Sequence, residues 1–299
     1  MRSIPAVILV AALASSSVLA TVASAQPSSR QRTLLVTALT ADGDPVDTLD
    51  ADDVVVREDG VAREVLKVTR ASEPVDITLV VDNSVAARRA QQDIRLALEK
   101  FVATFAGPHT ITLMTVADRP TVLVDATTSR AQLLRGVQRV FIQPEAGTYF
   151  VEGVIEAARA IGKRKPARAA IVAVTSFGVE FSDRGYQFAL DALAESGAAL
   201  HVIELQDTVQ ANQQDPNVRD RNIVIDQGTA ETGGIRELLL ANIALTETLQ
   251  KVGRAATTQY EVVYGRPDTL IPARKVEVES ARPALKLRGN VLQANRASR

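Results

Sequence analysis

The chain has 299 residues, 46% of them hydrophobic and 23% charged, with a formal net charge of -1. That length supports one large domain or two smaller ones with real cores. The near-neutral charge, the 4% aromatic content and the lack of Trp exclude an electrostatic or stacking platform for nucleic acid. With no cysteine, the fold must be held by packing rather than disulfides, and a thiol nucleophile, a cysteine-based zinc site and a cysteine-linked lipid anchor are all excluded.

The opening stretch, "MRSIPAVILVAALASSSVLATVASAQ", has one basic residue, an apolar run and Ala23-Ser24-Ala25. It reads as a secretory signal over residues 1–25, cut after Ala25, which predicts a periplasmic or secreted product. An uncleaved anchor is the alternative, because the run is almost long enough to span a bilayer. No later segment is apolar enough to do so, so no membrane span is expected after cleavage.

Residues 26–32 read as a polar linker, and 33–74 as strands and hairpins, with alternating apolar residues broken by Asp-Gly pairs. Asp59-Gly60 lies between "DVVVRE" and "VAREVLKV" and predicts a tight turn. From 75 to 254 strands alternate with helices. "DITLVVD" reads as a buried strand, and the helix after it carries Ile94, Leu98, Phe101 and Phe105 on one face. "TITLMTVAD" and "TVLVDA" read as a hairpin about Arg119-Pro120. Ser129 should cap a helix "RAQLLRGVQRVF", and "VEGVIEAARAIG" should be another, with Glu152, Glu156 and Arg159 on its surface.

"ARAAIVAVTS" has the continuous apolar character of a central strand covered on both faces. "YQFALDALAESG" reads as a helix and "AALHVIEL" as a strand. Residues 207–222, "DTVQANQQDPNVRDRN", read as a polar excursion. A last strand, "GGIRELLLAN", precedes the helix "IALTETLQKVGRAATTQ". Residues 255–294 return to alternating strands, and 295–299 form a tail. Together these elements predict an α/β fold with a doubly wound, mostly parallel sheet and flanking β-strands from both termini.

"VVVREDGVAREVLKV", "ITLVVDNS", "AGTYFVEGVIEA", "ETGG" and "QYEVVYGRP…RKVEVE" resemble, in order, segments of von Willebrand factor A domain proteins, and more narrowly of the exported bacterial VWFA-related family. The resemblance implies a Rossmann-like core, with the two flanks able to form a joint β subdomain. It also implies a metal-ion-dependent adhesion site. On the matching positions this chain has Asp82, Ser84 and Thr148. Ala86 stands in the place of the second serine, and Ser176 in that of the second aspartate.

With one of two carboxylates gone, the charge that would offset dehydration of a divalent ion is halved. No cofactor is certain, and magnesium or manganese is expected to bind weakly at most. Asp118, Glu180 or Asp183 could supply a replacement acid, while capping of the following helix is the alternative role for Asp82 and Ser84. His109 and His201 have no carboxylate beside them in sequence and read as structural; "GKRKPAR", 162–168, reads as a solvated connection. Neither a phosphate-binding loop nor a Gly-x-Ser-x-Gly elbow occurs, so no enzyme is expected. The expectation is an exported, non-catalytic protein-interaction module with a protein partner and a degenerate metal site. The alternative is an envelope assembly component acting through its β flanks.

Overall fold

The computed structural model describes residues 31–206, 214–266 and 273–292. The leader, residues 207–213 of the polar excursion and the tail therefore lie outside the described residues. Alternation of apolar and polar residues builds the first strands: β1 (Gln31–Thr40), β2 (Val54–Glu58), β3 (Val61–Arg63) and β4 (Val65–Arg70). β1 begins at Gln31, inside the expected linker. Asp59 and Gly60 both take positive φ, 49° and 80°. This is the turn that matches strand twist in a two-residue hairpin, and Gly60 adopts it without a Cβ penalty.

The α/β core follows. β5 (Val75–Val81), β6 (Thr110–Thr115), β8 (Arg168–Ser176), β9 (Ala199–Leu205) and β10 (Arg236–Leu239) are parallel, and β7 (Thr121–Thr127) runs antiparallel beside β6. The sheet order is β10-β9-β8-β5-β6-β7. Every residue of β5, β8 and β9 is buried, as a strand covered on both faces requires.

One face carries α1 (Gln91–Phe105), α2 (Arg130–Val137) and α6 (Leu245–Thr257), whose apolar residues share a core with Ile77, Leu79 and Val172. The other carries α3 (Phe150–Arg164), α4 (Tyr186–Ser196) and α5 (Pro216–Glu231), packed on Val80, Ile171 and Val202. Ser129 caps α2 by accepting from the Gln132 amide, yet the helix stops at Val137 rather than running on to Phe141.

α6 follows the expected helix as far as Thr257. Two further expectations change. The polar excursion gives way to α5 from Pro216 onward, with Asp215 as its cap. The basic connection 162–168 is not simply solvated. Arg164 makes two hydrogen bonds to the Asp76 carboxylate, at 2.6 and 2.9 Å. Arg168 is buried and donates to the carbonyls of Ala71, Glu73, Ala256 and Thr257 and to the Gln259 side chain.

The closing strands β11 (Gln259–Gly265), β12 (Val276–Ser280) and β13 (Leu285–Gly289) return to the first ones. The result is a four-stranded sheet, β13-β1-β11-β4, and a three-stranded one, β12-β2-β3, all antiparallel. Leu34, Val36, Val54, Val56, Val262 and Val276 form their shared core. Tyr260 donates its hydroxyl to the Val46 carbonyl, and Tyr264 to the buried Glu58 carboxylate at 3.0 Å. Asp59 accepts from the amides of Arg274 and Lys275, at 3.0 and 2.9 Å. The Glu-Asp-Gly turn and the Tyr-x-x-x-Tyr strand are thus parts of one platform.

Candidate functional site

Parallel strands deliver their following loops to one end of the sheet, and there the residues singled out in the sequence meet. β5 ends at Val81, so Asp82 is the first residue beyond it. Its carboxylate accepts from the Ser84 amide at 2.8 Å and from the Ser176 amide at 3.0 Å. Asp82 therefore staples the end of β5 to the end of β8. It does not cap a helix: a 3₁₀ turn spans Val85–Ala90, Ser84 makes no capping hydrogen bond, and α1 starts only at Gln91.

Thr148 is brought to the same end by the segment before α3. The Val85 amide donates to the Ala146 carbonyl at 3.2 Å, and Thr148 itself bridges Ala117 on one side and Glu180 on the other. Asn83, which the sequence reading passed over, organises the surroundings. Its side chain accepts from the Ala117 amide and donates to the Phe141 carbonyl, at 3.0 and 2.9 Å.

The four oxygen-bearing residues are sealed: Asp82, Ser84 and Ser176 are 1% exposed and Thr148 is 0%. The hydroxyls of Ser84, Thr148 and Ser176 are buried without a hydrogen-bond partner. A buried hydroxyl left without any partner costs on the order of 1–3 kcal/mol, so each of the three has hydrogen-bonding capacity that no other protein group takes up. They are donors that a hydrated cation could use, but they bring no charge. Among the described residues no three acids or histidines converge in the way a metal-binding group requires.

The candidate replacement acids are placed as follows. Asp118 is exposed at φ 63°, its amide donating to Gly147. Asp183 is exposed, with its amide on the Glu152 carboxylate. Glu180 is buried and engaged elsewhere: it accepts from the amides of Phe150 and Ser182 and from the Ser182 hydroxyl, at the start of α3. Burial pushes its carboxyl up to about 7, against the opposing pull of those hydrogen bonds and of Arg221.

Arg221, on α5, is fully buried. Its guanidinium donates to the Thr175 hydroxyl at 3.4 Å, approaches Glu204 at 4.0 Å, and lies over the rings of Phe150 and Phe177. Arginine in register with Val218, Val224 and Ile225 on one helix face was the available signal for this buried cation. The two histidines are structural acceptors. His109 Nδ1 takes the Val75 amide, and His201 Nδ1 takes the Ile235 amide; burial holds the His201 imidazole down at about 4. On α3, Glu156 pairs with Arg159 at the surface.

A doubly wound α/β domain whose strand ends gather oxygen-bearing side chains in this way has the outline of a von Willebrand factor A fold. Residues 77–179 match the von Willebrand factor type A domain family model. No curated protein sequence matches the chain.

Solved structures share the fold at low identity. Proximal thread matrix protein 1 from the mussel byssus superposes with a TM-score of 0.51 at 16% identity, over 67% of this chain and 51% of that one. This chain thus spans about half the length of the byssus protein. A von Willebrand factor type A protein from Catenulispora acidiphila gives a TM-score of 0.49 at 11% identity, over 88% of this chain and 73% of its own. Among the described residues no helix is long and apolar enough to cross a membrane.

Proposed function

We propose that this chain is an exported, non-catalytic protein-interaction module that meets its partner through the loops at the carboxyl ends of the parallel strands. One observation carries the reading. Among the described residues, twelve large apolar side chains are exposed, and six of them stand in those loops: Val85, Phe141, Val179, Phe181, Leu240 and Ile243. Leu240 is 78% exposed and Ile243 85%. Apolar groups gathered around one end of a soluble domain favour a protein partner.

The non-catalytic part of the reading is supported by the side chains at the site. No histidine reaches it, because both imidazoles accept backbone amides elsewhere, and the Asp82 carboxylate is taken up by the Ser84 and Ser176 amides. A metal role, if any, is weak. Asp82 is the single carboxylate, both its oxygens already accept amide hydrogens, and Ala86 offers no oxygen. Magnesium or manganese would have to keep much of its water there. The export reading rests on the leader sequence.

The test is capture of the partner from envelope extracts with and without EDTA, using the native chain and a Val179→Asp/Phe181→Asp variant. Capture that resists EDTA and fails in the variant supports the proposal. Capture that EDTA abolishes would sink the weak-metal part. If capture survives in the variant and in Asp82→Ala but is lost when the Glu58-Asp59-Gly60 hairpin is disrupted, the β flanks are the interaction surface instead.

A further inference from the structure

The strand-end site is closed by a segment of its own chain. Phe177–Ser182 leaves the end of β8 and crosses the site before reaching α4. Its Val179 carbonyl accepts from the Thr148 amide at 2.9 Å, and its Phe181 amide donates to the Thr148 carbonyl at 2.8 Å. The Phe177 amide holds the near end to the Leu205 carbonyl at 3.3 Å.

Two glycines let the segment settle this closely. A Cβ at Gly178 would sit 2.8 Å from the Ala86 methyl and 3.9 Å from the Ser84 hydroxyl, and one at Gly147 would strike the Phe181 ring at 2.3 Å. Gly178 thus lies directly over Ala86 and Ser84. The outward side of the segment exposes Val179 and Phe181. Its inward anchor is Glu180, whose carboxylate is held by two backbone amides and the Ser182 hydroxyl.

We infer that Phe177–Ser182 is a strap that keeps the Asp82 site shut and must lift before that site can take any ligand. The reason is geometric. All four oxygen-bearing residues are buried, with Ser84 and the Thr148 main chain directly against the strap, and opening would let water or a ligand reach the Ser84, Thr148 and Ser176 hydroxyls, which have no protein partner. The strap is held by three backbone hydrogen bonds, by the Glu180 and Ser182 side chains, which accept from the Phe150 and Glu152 amides, and by the Asn217 side chain on the Glu180 carbonyl, whereas the strands beneath are paired on both edges. Local opening of such a segment costs far less than unfolding the domain. Ala86 is part of the closure, because its methyl is the surface on which Gly178 rests. This rests on reading the Asp82 region as a binding site, but opening can be measured without any ligand.

The chain has no cysteine, so single introduced thiols report cleanly. Ser84→Cys places one beneath the strap, Val85→Cys places one outside, and Ala97→Cys buries one in the core. With an aromatic disulfide reagent, Ser84→Cys should react at least about 100-fold more slowly than Val85→Cys, yet faster than Ala97→Cys. Adding Glu180→Ala should speed Ser84→Cys by about tenfold and leave Ala97→Cys unchanged.

The inference is overturned if Ser84→Cys reacts as fast as Val85→Cys, if it tracks Ala97→Cys in both backgrounds, or if Glu180→Ala leaves its rate unmoved. Ser176→Cys gives the same readout should Ser84→Cys not fold. Loss of partner capture with normal thiol kinetics would count against the proposed interaction and leave the strap standing.

Discussion

Replacing Glu180 with glutamine should change how stability depends on pH. Burial lifts its carboxyl from 4.5 to about 7, so the folded chain keeps a proton that the unfolded chain releases between those values. Stability is therefore full below about pH 4.5 and declines as pH rises through about 7. At 1.36 kcal/mol per pH unit the loss comes to about 3 kcal/mol.

His201 works in the opposite sense. Burial lowers it from 6.5 to about 4, so the unfolded chain takes up a proton that the folded chain refuses, and stability falls as pH drops through that window. The two trends oppose each other between pH 4.5 and 6.5, and the native chain should look nearly flat there. Glu180→Gln removes one of them.

Urea denaturation followed by circular dichroism, at intervals from pH 4 to 8, gives the difference in unfolding free energy between variant and native chain. That difference should grow in the variant's favour by about 3 kcal/mol across the range. A difference independent of pH would refute the assignment of a raised Glu180 carboxyl and the linkage built on it.

Three other outcomes follow from the structure. Tyr264→Phe removes the hydroxyl on the buried Glu58 carboxylate and should cost about 1.5–3 kcal/mol of stability, read from the same denaturation curves. Gly234→Ala places a methyl 1.8 Å from the Leu200 carbonyl oxygen, within main chain that cannot move aside, and should abolish soluble folded protein or sharply lower its melting temperature. Ala86→Ser with Ser176→Asp restores an oxygen and a second charge; calorimetric titration should show magnesium binding at least about tenfold tighter than in the native chain, and no gain would refute the charge argument.

Most of the core was legible because its residues obey one period at a time. β5 and β8 read as buried strands from their largely apolar runs, and α1 from Ile94, Leu98, Phe101 and Phe105, all of which are buried. α5 was missed for a physical reason. Its buried face mixes Val218, Val224 and Ile225 with Arg221, Gly228 and Thr229, so no apolar stripe stands out in a polar sequence.

The site was legible where a residue ends a strand, as with Asp82, but not where its surroundings come from afar. Thr175 and Arg221 are 46 residues apart and meet only through the crossover of α4 and β9. The basic stretch 162–168 misled because side-chain charge says nothing about a carboxylate such as Asp76, 88 residues away from Arg164.

The platform's strand order bears on how the chain is made. β1 is flanked by β11 and β13, and its Thr37 lies opposite Gln259, 222 residues later. During synthesis from the amino end, β1 finds neither of its two neighbouring strands until the whole α/β core has emerged. The core can close on local crossovers while the platform waits. The last strands made are then the ones that shelter the first, so a chain stopped before residue 259 would carry a finished core beside an open, sticky β edge.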